Sequence, residues 1–242
     1  MVDRPRPAWY IADLGTVDYA PALDLQHRLA AARADGALPA ELLILIEHPP
    51  VFTLGRRGGR ENLKVPPEVL ECAGVPVIQA ERGGVITYHG PGQIVLYAIV
   101  HLAAAGLSVV GMVERLEEVM IRTCAAWGIA AGRNALNRGA WVGPRKIGSI
   151  GLAVRRGVSF HGMALNAAVD LTHFGWISPC GLDGVAMTSM HLESDRPVAP
   201  AAVRRTLGEV IAEVFAVRLE PIGAARVAEL AARQGSDDRR LA

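Results

Sequence analysis

The sequence predicts a mixed α+β fold, and three observations carry that expectation. Apolar residues recur at spacings of three and four in four stretches, short β-prone runs fill the spaces between them, and no regular βαβ repeat is present. A chain of 242 residues is long enough to bury one substantial core, and neither an internal repeat nor an interdomain linker divides it. Residues 1–233 therefore read as a single domain and the polar residues 234–242 as a flexible tail.

The elements follow in order. Over residues 18–33, Ala22, Leu25 and Leu29 share one helical face, with Asp18 as a candidate N-cap and Gly36 beyond the end. Strands are expected at 42–46, 51–54, 75–79, 85–87 and 94–100, where β-branched and aliphatic residues cluster between turn formers. The second helix opens after Ser108, whose hydroxyl suits an N-cap. It carries the stripe Val113, Leu116, Met120 and Cys124 and stops before Gly128. A short strand at 140–142 precedes two longer ones, 146–154 and 158–165, which flank Arg155-Arg156-Gly157. That triplet is hairpin chemistry, with glycine where a positive φ is needed. Val203, Leu207, Val210, Ile211 and Val214 mark a third helix over 200–215, and 222–233 a fourth.

Composition excludes several classes of function. With 25 basic and 24 acidic residues the net charge is +1, so nothing drives the whole chain onto nucleic acid or a membrane surface. Pro5 and Pro7 break the N-terminal stretch and no signal-peptide core follows, so secretion is not expected. The apolar run 94–100 is well short of the ~20 residues that cross a bilayer. Cys72, Cys124 and Cys180 are an odd set without paired spacing, which fits a reducing, cytoplasmic setting and neither a disulfide framework nor a zinc site. His89, His161, His173 and His191 contain no short-spaced metal pair, and no Gly-x-Ser-x-Gly elbow occurs. Gly55-Arg56-Arg57-Gly58-Gly59-Arg60 lacks the P-loop lysine and reads as a solvated turn or a substrate-entrance rim.

Three constellations and one cysteine carry candidate chemistry. Arg82-Gly83-Gly84-Val85-Ile86-Thr87-Tyr88-His89-Gly90-Pro91-Gly92-Gln93 has the glycine density that lets backbone approach a ligand, although two tight turns around an edge strand have the same composition. Arg145-Lys146-Ile147-Gly148-Ser149-Ile150-Gly151 places a lysine at a strand start above small residues that leave a groove. Such a lysine either snorkels to water or serves as a charge and proton donor. Phe160-His161-Gly162-Met163-Ala164-Leu165-Asn166 supplies apolar surface for a core or a tunnel. Cys180, in Pro179-Cys180-Gly181, sits between a rigid and a permissive residue. It is open to two readings, a small buried hydrophobe or a reactive thiol facing a cleft.

Taken in order, these motifs resemble the octanoyl/lipoyl-carrier-protein:protein transferases of lipoate synthesis. The resemblance extends from about residue 42 to 188 and includes Phe52-Thr53-Leu54-Gly55-Arg56-Arg57. It implies a fold related to the catalytic domains of biotin and lipoate protein ligases, with an acyl-enzyme in place of ATP activation and no cofactor. Cys180 is then the nucleophile and Lys146 its partner. The acyl site is lined by Arg82, Gly83, Gly84, Val85, Ile86, Thr87, Tyr88 and His89, by Ser149, Ile150 and Gly151, and by Gly162, Met163 and Ala164. The implied donor is octanoyl-acyl carrier protein. The implied acceptors are lipoyl domains of 2-oxoacid dehydrogenase complexes and the glycine cleavage H protein, and the enzyme is expected to be a monomer. A thiol with pKa about 8.5 is only a few per cent thiolate at pH 7, so an adjacent ammonium gives Cys180 a reason to ionise. Arg133, Arg138, Arg145, Arg155 and Arg156 offer a local basic dock for an acidic carrier. The rival readings are an ATP-dependent lipoate or biotin ligase and a non-catalytic scaffold that binds lipoyl domains.

Overall fold

The computed structural model describes residues 5–178 and 185–233. Among them eleven strands and six α-helices follow in chain order: β1 (Ala8–Thr16), α1 (Tyr19–Ala34), β2 (Leu42–Glu47), β3 (Val51–Leu54), α2 (Pro67–Ala73), β4 (Val77–Gln79), β5 (Ile86–His89), β6 (Gln93–His101), α3 (Val109–Ala125), β7 (Gly132–Asn134), β8 (Asn137–Val142), β9 (Arg145–Arg155), β10 (Val158–Asn166), α4 (Met190–Glu193), α5 (Pro200–Val214), β11 (Arg218–Pro221) and α6 (Ala224–Ala232). Short 3₁₀ turns occupy Arg60–Asn62 and Thr172–Trp176.

Eight strands form one sheet in the order β11-β1-β2-β6-β10-β9-β8-β7, and β4-β3-β5 form a second, smaller one. In the large sheet β1 runs parallel to both β11 and β2, and the other pairs are antiparallel, which is the mixed sheet expected. The central strands are apolar throughout because both faces are covered. Along β6, Ile94, Leu96, Ala98 and Val100 pack with Met112, Leu116 and Met120 of α3 and Leu207 and Ile211 of α5. The alternate residues Val95, Tyr97 and Ile99 face Ala22 and Leu29 of α1 and Leu230 of α6. Each such aliphatic side chain taken out of water contributes about 1.5–3 kcal/mol. A third apolar cluster joins Phe52, Tyr88, Phe174 and Ile177 behind the small sheet.

Ser108 caps α3 as expected, its Oγ accepting the Gly111 N–H at 3.0 Å, and Gly128 follows with φ +74°. Arg156 and Gly157, at φ +50° and +79°, form the two-residue turn of the β9–β10 hairpin. Asp18 precedes α1 but caps it through its carbonyl, which accepts the Ala22 N–H at 3.2 Å, and its side chain makes no capping bond. The helix expected from 222 starts at Ala224, because the Ile222 N–H is committed to the Ile11 carbonyl of the sheet edge. β1, β7, β11, α2 and α4 are additions to the expected elements. β1 shows no clean alternation and is held by partners far away in sequence, Leu42–Ile44 on one side and Arg218–Pro221 on the other.

Candidate active site

Where the small sheet meets the large one, they enclose a cavity of about 280 Å³. One wall is the segment 82–89. Arg82 is buried, its Nε donating to Thr53 Oγ1 at 3.1 Å, one terminal nitrogen to the Thr53 carbonyl at 2.5 Å and the other to the Gly83 carbonyl at 3.0 Å. The following backbone is sewn onto the large sheet by the Gly83 N–H, which donates to Leu152 O at 2.9 Å. Within β5, Ile86, Thr87 and His89 meet the cavity.

The opposite wall is built from β9 and β10. Antiparallel register sets Ser149 opposite Ala164, Ile150 opposite Met163 and Gly151 opposite Gly162, so the two triplets picked from the sequence form one continuous patch. A Cβ on Gly151 would lie 2.9 Å from Gly83 O and 3.0 Å from Arg82 Cδ, so glycine here lets the two walls close. A Cβ on Gly162 would lie 2.1 Å from Leu96 O of the neighbouring strand.

Lys146, near the start of β9, lines the same cavity and is 1 % exposed, so it does not snorkel into water. Its ammonium donates to Asn137 Oδ1 at 2.8 Å and lies 5.4 Å from the Trp141 ring centroid. Trp141 Nε1 in turn donates to the Asn137 carbonyl at 3.1 Å, so indole, amide and lysine brace one another. The Lys146 backbone pairs with 186–188: its N–H donates to Ala186 O and its carbonyl accepts from Thr188 N, both at 2.9 Å. On the other side, Ser178 N donates to Asn62 O at 2.9 Å and Ile177 bridges to Leu63. Cys180, with Pro179 and Gly181, lies outside the described residues, as does the 234–242 tail; the chain is anchored against the site on either side of 179–184.

A buried polar cluster adjoins the cavity. His48 Nδ1 lies 2.6 Å from Val17 O and its Nε2 2.6 Å from Tyr97 Oη, an arrangement that makes Nδ1 the donor and Nε2 the acceptor of the tyrosine hydroxyl. His89 Nδ1 lies 2.6 Å from Gln93 Oε1, and the Tyr19 ring stacks on His89 at 5.8 Å. Burial is the main force on all three imidazoles nearby. It lowers His48, holds His89 well below the usual range with His48 adding to the effect, and, with the Arg82 charge and His27, takes His161 down to about 3. Burial likewise pushes Tyr19 up to about 12. His161 also occupies the left-handed region, at φ +59°, with its N–H donating to Gln26 Oε1 at 2.7 Å.

Of the residues expected at the site, Arg82, Gly83, Gly84, Val85, Ile86, Thr87, His89, Lys146, Ser149, Ile150, Gly151, Gly162, Met163 and Ala164 all line the cavity. Tyr88 is placed elsewhere, because strand alternation turns its ring into the core of the small sheet, stacked on His173 at 4.8 Å and against Phe174. Tyr19, Tyr97 and Asn137 join the lining without having been expected there, as does His161, which belonged to the 160–166 constellation but not to the expected acyl-site residues. Tyr19 and Tyr97 read as ordinary helix and strand residues, and Asn137 fell in a stretch with no assigned element. Among the described residues no group of three or more His, Cys, Asp or Glu side chains is placed to hold a metal ion. No helix there is long and apolar enough to cross a membrane.

The fold has close counterparts. It superposes on lipoate-protein ligase A bound with ATP with a TM-score of 0.74, at 15% identity and covering 95% of this chain and 94% of that one. It superposes on the bipartite lipoate protein ligase of Thermoplasma acidophilum at 0.68, with 16% identity and coverage of 94% and 91%. The family described as the lipoyl protein ligase A/B catalytic domain matches residues 18–212, and the chain belongs to it. Within that family its relatives are octanoyltransferases. That of Desulfotalea psychrophila is 46% identical over 85% of this chain and 93% of its own length, and that of Syntrophobacter fumaroxidans 47% identical over 85% and 90%. The chain is an acyltransferase of this octanoyltransferase group.

Proposed function

We propose that the protein moves an octanoyl group from the thioester of an acyl carrier protein to a lysine of a lipoyl domain, through a thioester on Cys180. The observation that carries this reading is the buried Lys146 on the wall of the cavity, with its backbone paired to 186–188, a few residues beyond the cysteine. In the first half-reaction Cys180 is a thiolate paired with the Lys146 ammonium, and its sulfur attacks the donor carbonyl carbon. The carbon–sulfur bond to the carrier breaks, and the departing thiolate takes the ammonium proton. In the second, the acceptor ε-amine attacks the Cys180 thioester, an amide bond forms, and the amine's surplus proton passes to Lys146, which restores the pair with the released sulfur. Both steps run from thioester to thioester to amide, so no nucleotide enters.

The acyl chain occupies the space between Val85, Ile86, Ile150 and Met163. Burying its seven carbons beyond the carbonyl, at ~0.8 kcal/mol each, contributes roughly 6 kcal/mol before the cost of ordering the chain. Backbone donors around the glycine-rich 82–84 segment are suited to the oxyanion. The carrier of the acyl group and the acceptors, lipoyl domains and the H protein of glycine cleavage, are those that the sequence resemblance implies.

Intact-protein mass spectrometry after mixing with octanoyl carrier protein tests the reading. It is expected to show one octanoyl adduct, localised to Cys180, discharged by a lipoyl domain without nucleotide. Transfer that proceeds with no adduct, or only with ATP, overturns it.

A further inference from the structure

The five arginines offered by the sequence as a basic dock are all engaged. Arg133 and Arg138 pair with Glu117, Arg145 with Glu193, Arg155 with Glu81 and Arg156 with Asp35. The loop after β3 is different. Arg56, Arg57, Arg60 and Lys64 are exposed and form no ion pair among the described residues. The one carboxylate among them, Glu61, is turned onto its own loop, accepting the Gly59 N–H at 2.8 Å and Asn62 Nδ2 at 3.0 Å. In a chain whose net charge is +1, residues 55–64 thus concentrate four cations against one acid.

The place of this loop matters as much as its charge. Its backbone is bonded to the cavity wall, Gly55 N to Val85 O at 2.5 Å, Arg56 N to Arg82 O at 3.0 Å and Arg57 N to Gly84 O at 3.2 Å, and Arg57 lines the cavity. Its far end is bonded to the segment that leads into the cysteine, Lys64 N to Trp176 O at 2.8 Å and Ser178 N to Asn62 O at 2.9 Å. A protein that brings a thioester to this cavity therefore meets an unpaired positive rim held in fixed relation to the acyl wall. Solvated arginines without intramolecular partners keep their full attraction for an incoming acid, whereas paired ones have to be stripped of a carboxylate first.

We propose that residues 55–64 form the docking surface for the acidic face of the carrier protein that delivers the acyl thioester, an inference that rests on the carrier-dependent reading above. The partner is a small domain with clustered carboxylates beside a thioester-bearing arm, and the contact is to those carboxylates. Such a rim acts mainly on encounter, so its contribution shrinks as salt shortens the Debye length from about 30 Å at 0.01 M to about 10 Å at 0.1 M.

The test compares the triple variant Arg56→Gln, Arg60→Gln, Lys64→Gln with the parent protein, leaving Arg57 in place. With octanoyl carrier protein at low salt, the second-order rate of Cys180 acylation is expected to fall tenfold or more, and the deficit to close in 0.5 M salt. With octanoyl-pantetheine, which has neither protein nor phosphate, the two proteins should agree within twofold, and their melting temperatures should match. Equal loss with both donors overturns the proposal. Loss with octanoyl-phosphopantetheine equal to that with the carrier also overturns it, by assigning the contact to the phosphodiester. So does a slower discharge of the preloaded enzyme by a lipoyl domain with acylation unchanged, which assigns the rim to the acceptor. Binding of the octanoyl carrier to Cys180→Ala, with and without the three substitutions, reads the dock without the covalent step. A tenfold weaker, salt-sensitive affinity supports it even if no adduct ever forms, and an unchanged affinity refutes it.

Discussion

The two walls of the cavity are built on opposite principles. The 82–89 wall brings polar function, with an arginine locked onto Thr53 and its own loop carbonyls and imidazoles stacked behind it. The β9–β10 wall brings space, through the facing glycines Gly151 and Gly162 and the small side chains of Ser149 and Ala164. The contrast teaches that this cavity combines a rigid polar frame with a bare sheet surface, the combination that the proposed acyl site uses. Lys146, the cation proposed to partner Cys180, starts the β9 wall and is braced there by Asn137 and Trp141.

Several substitutions and conditions break or sharpen this contrast. The largest effect is expected from Lys146→Met, which keeps much of the buried stem and removes the charge. Octanoyl transfer to a lipoyl domain should drop by about 10³-fold while the circular dichroism spectrum stays that of the parent. Near-parent activity would remove the lysine from the chemistry.

The polar wall is expected to fail in acid. Because His48, His89 and His161 have their folded-state pKa values lowered, the unfolded chain binds protons first as pH falls. Their contribution to stability is complete above about pH 6.5 and is lost progressively below it, over a window that for His161 reaches down to about 3. Urea midpoints measured between pH 7.5 and 4.5 should fall by an amount equivalent to about 1.4 kcal/mol per unit for each imidazole that titrates this way. Flat midpoints would mean that these rings are solvated.

On the bare wall, Gly162→Ala drives a methyl into the Leu96 carbonyl and is expected to cost about 2–3 kcal/mol in a denaturant titration. Asn137→Ala should slow turnover about 30-fold without changing the melting temperature much, because it removes the hydrogen bond that aims the ammonium. If Asn137 acts by positioning, the pH dependence of Cys180 alkylation should shift too, and Asn137→Asp should restore part of it. The smallest effect is at Ser108→Ala, remote from both walls, where loss of the helix cap is expected to cost about 1 kcal/mol and leave kcat unchanged.

How much of this was legible in the chain varies by element. The helices α3 and α5 and the β9–β10 hairpin were read nearly to the residue, because a 3.6-residue stripe, a serine cap and an Arg-Gly turn are local signals. β1 and β11 were not, since β1 lacks clean alternation and β11 has only four residues, and the two pair with each other across some two hundred residues of chain. At the site, glycine-rich motifs pointed to the cavity wall correctly, with Tyr88 the exception: a motif identifies a segment, and strand alternation decides which of its side chains faces inward. Asn137 had no signal at all. Its role depends on the β8–β9 pairing that brings it within hydrogen-bond reach of Lys146.

By itself the sequence determined the mixed fold class, the motif-bearing segments and the chemistry that their residue types make available, because periodicity, capping and turn formation act over a few residues. Only the tertiary structure decided that Ser149–Gly151 and Gly162–Ala164 are one surface, that Lys146 is buried rather than solvated, and that Arg56, Arg57, Arg60 and Lys64 find no ion-pair partner among the described residues. Register, burial and ion pairing are properties of groups brought together from distant parts of the chain, and no local pattern encodes which group meets which.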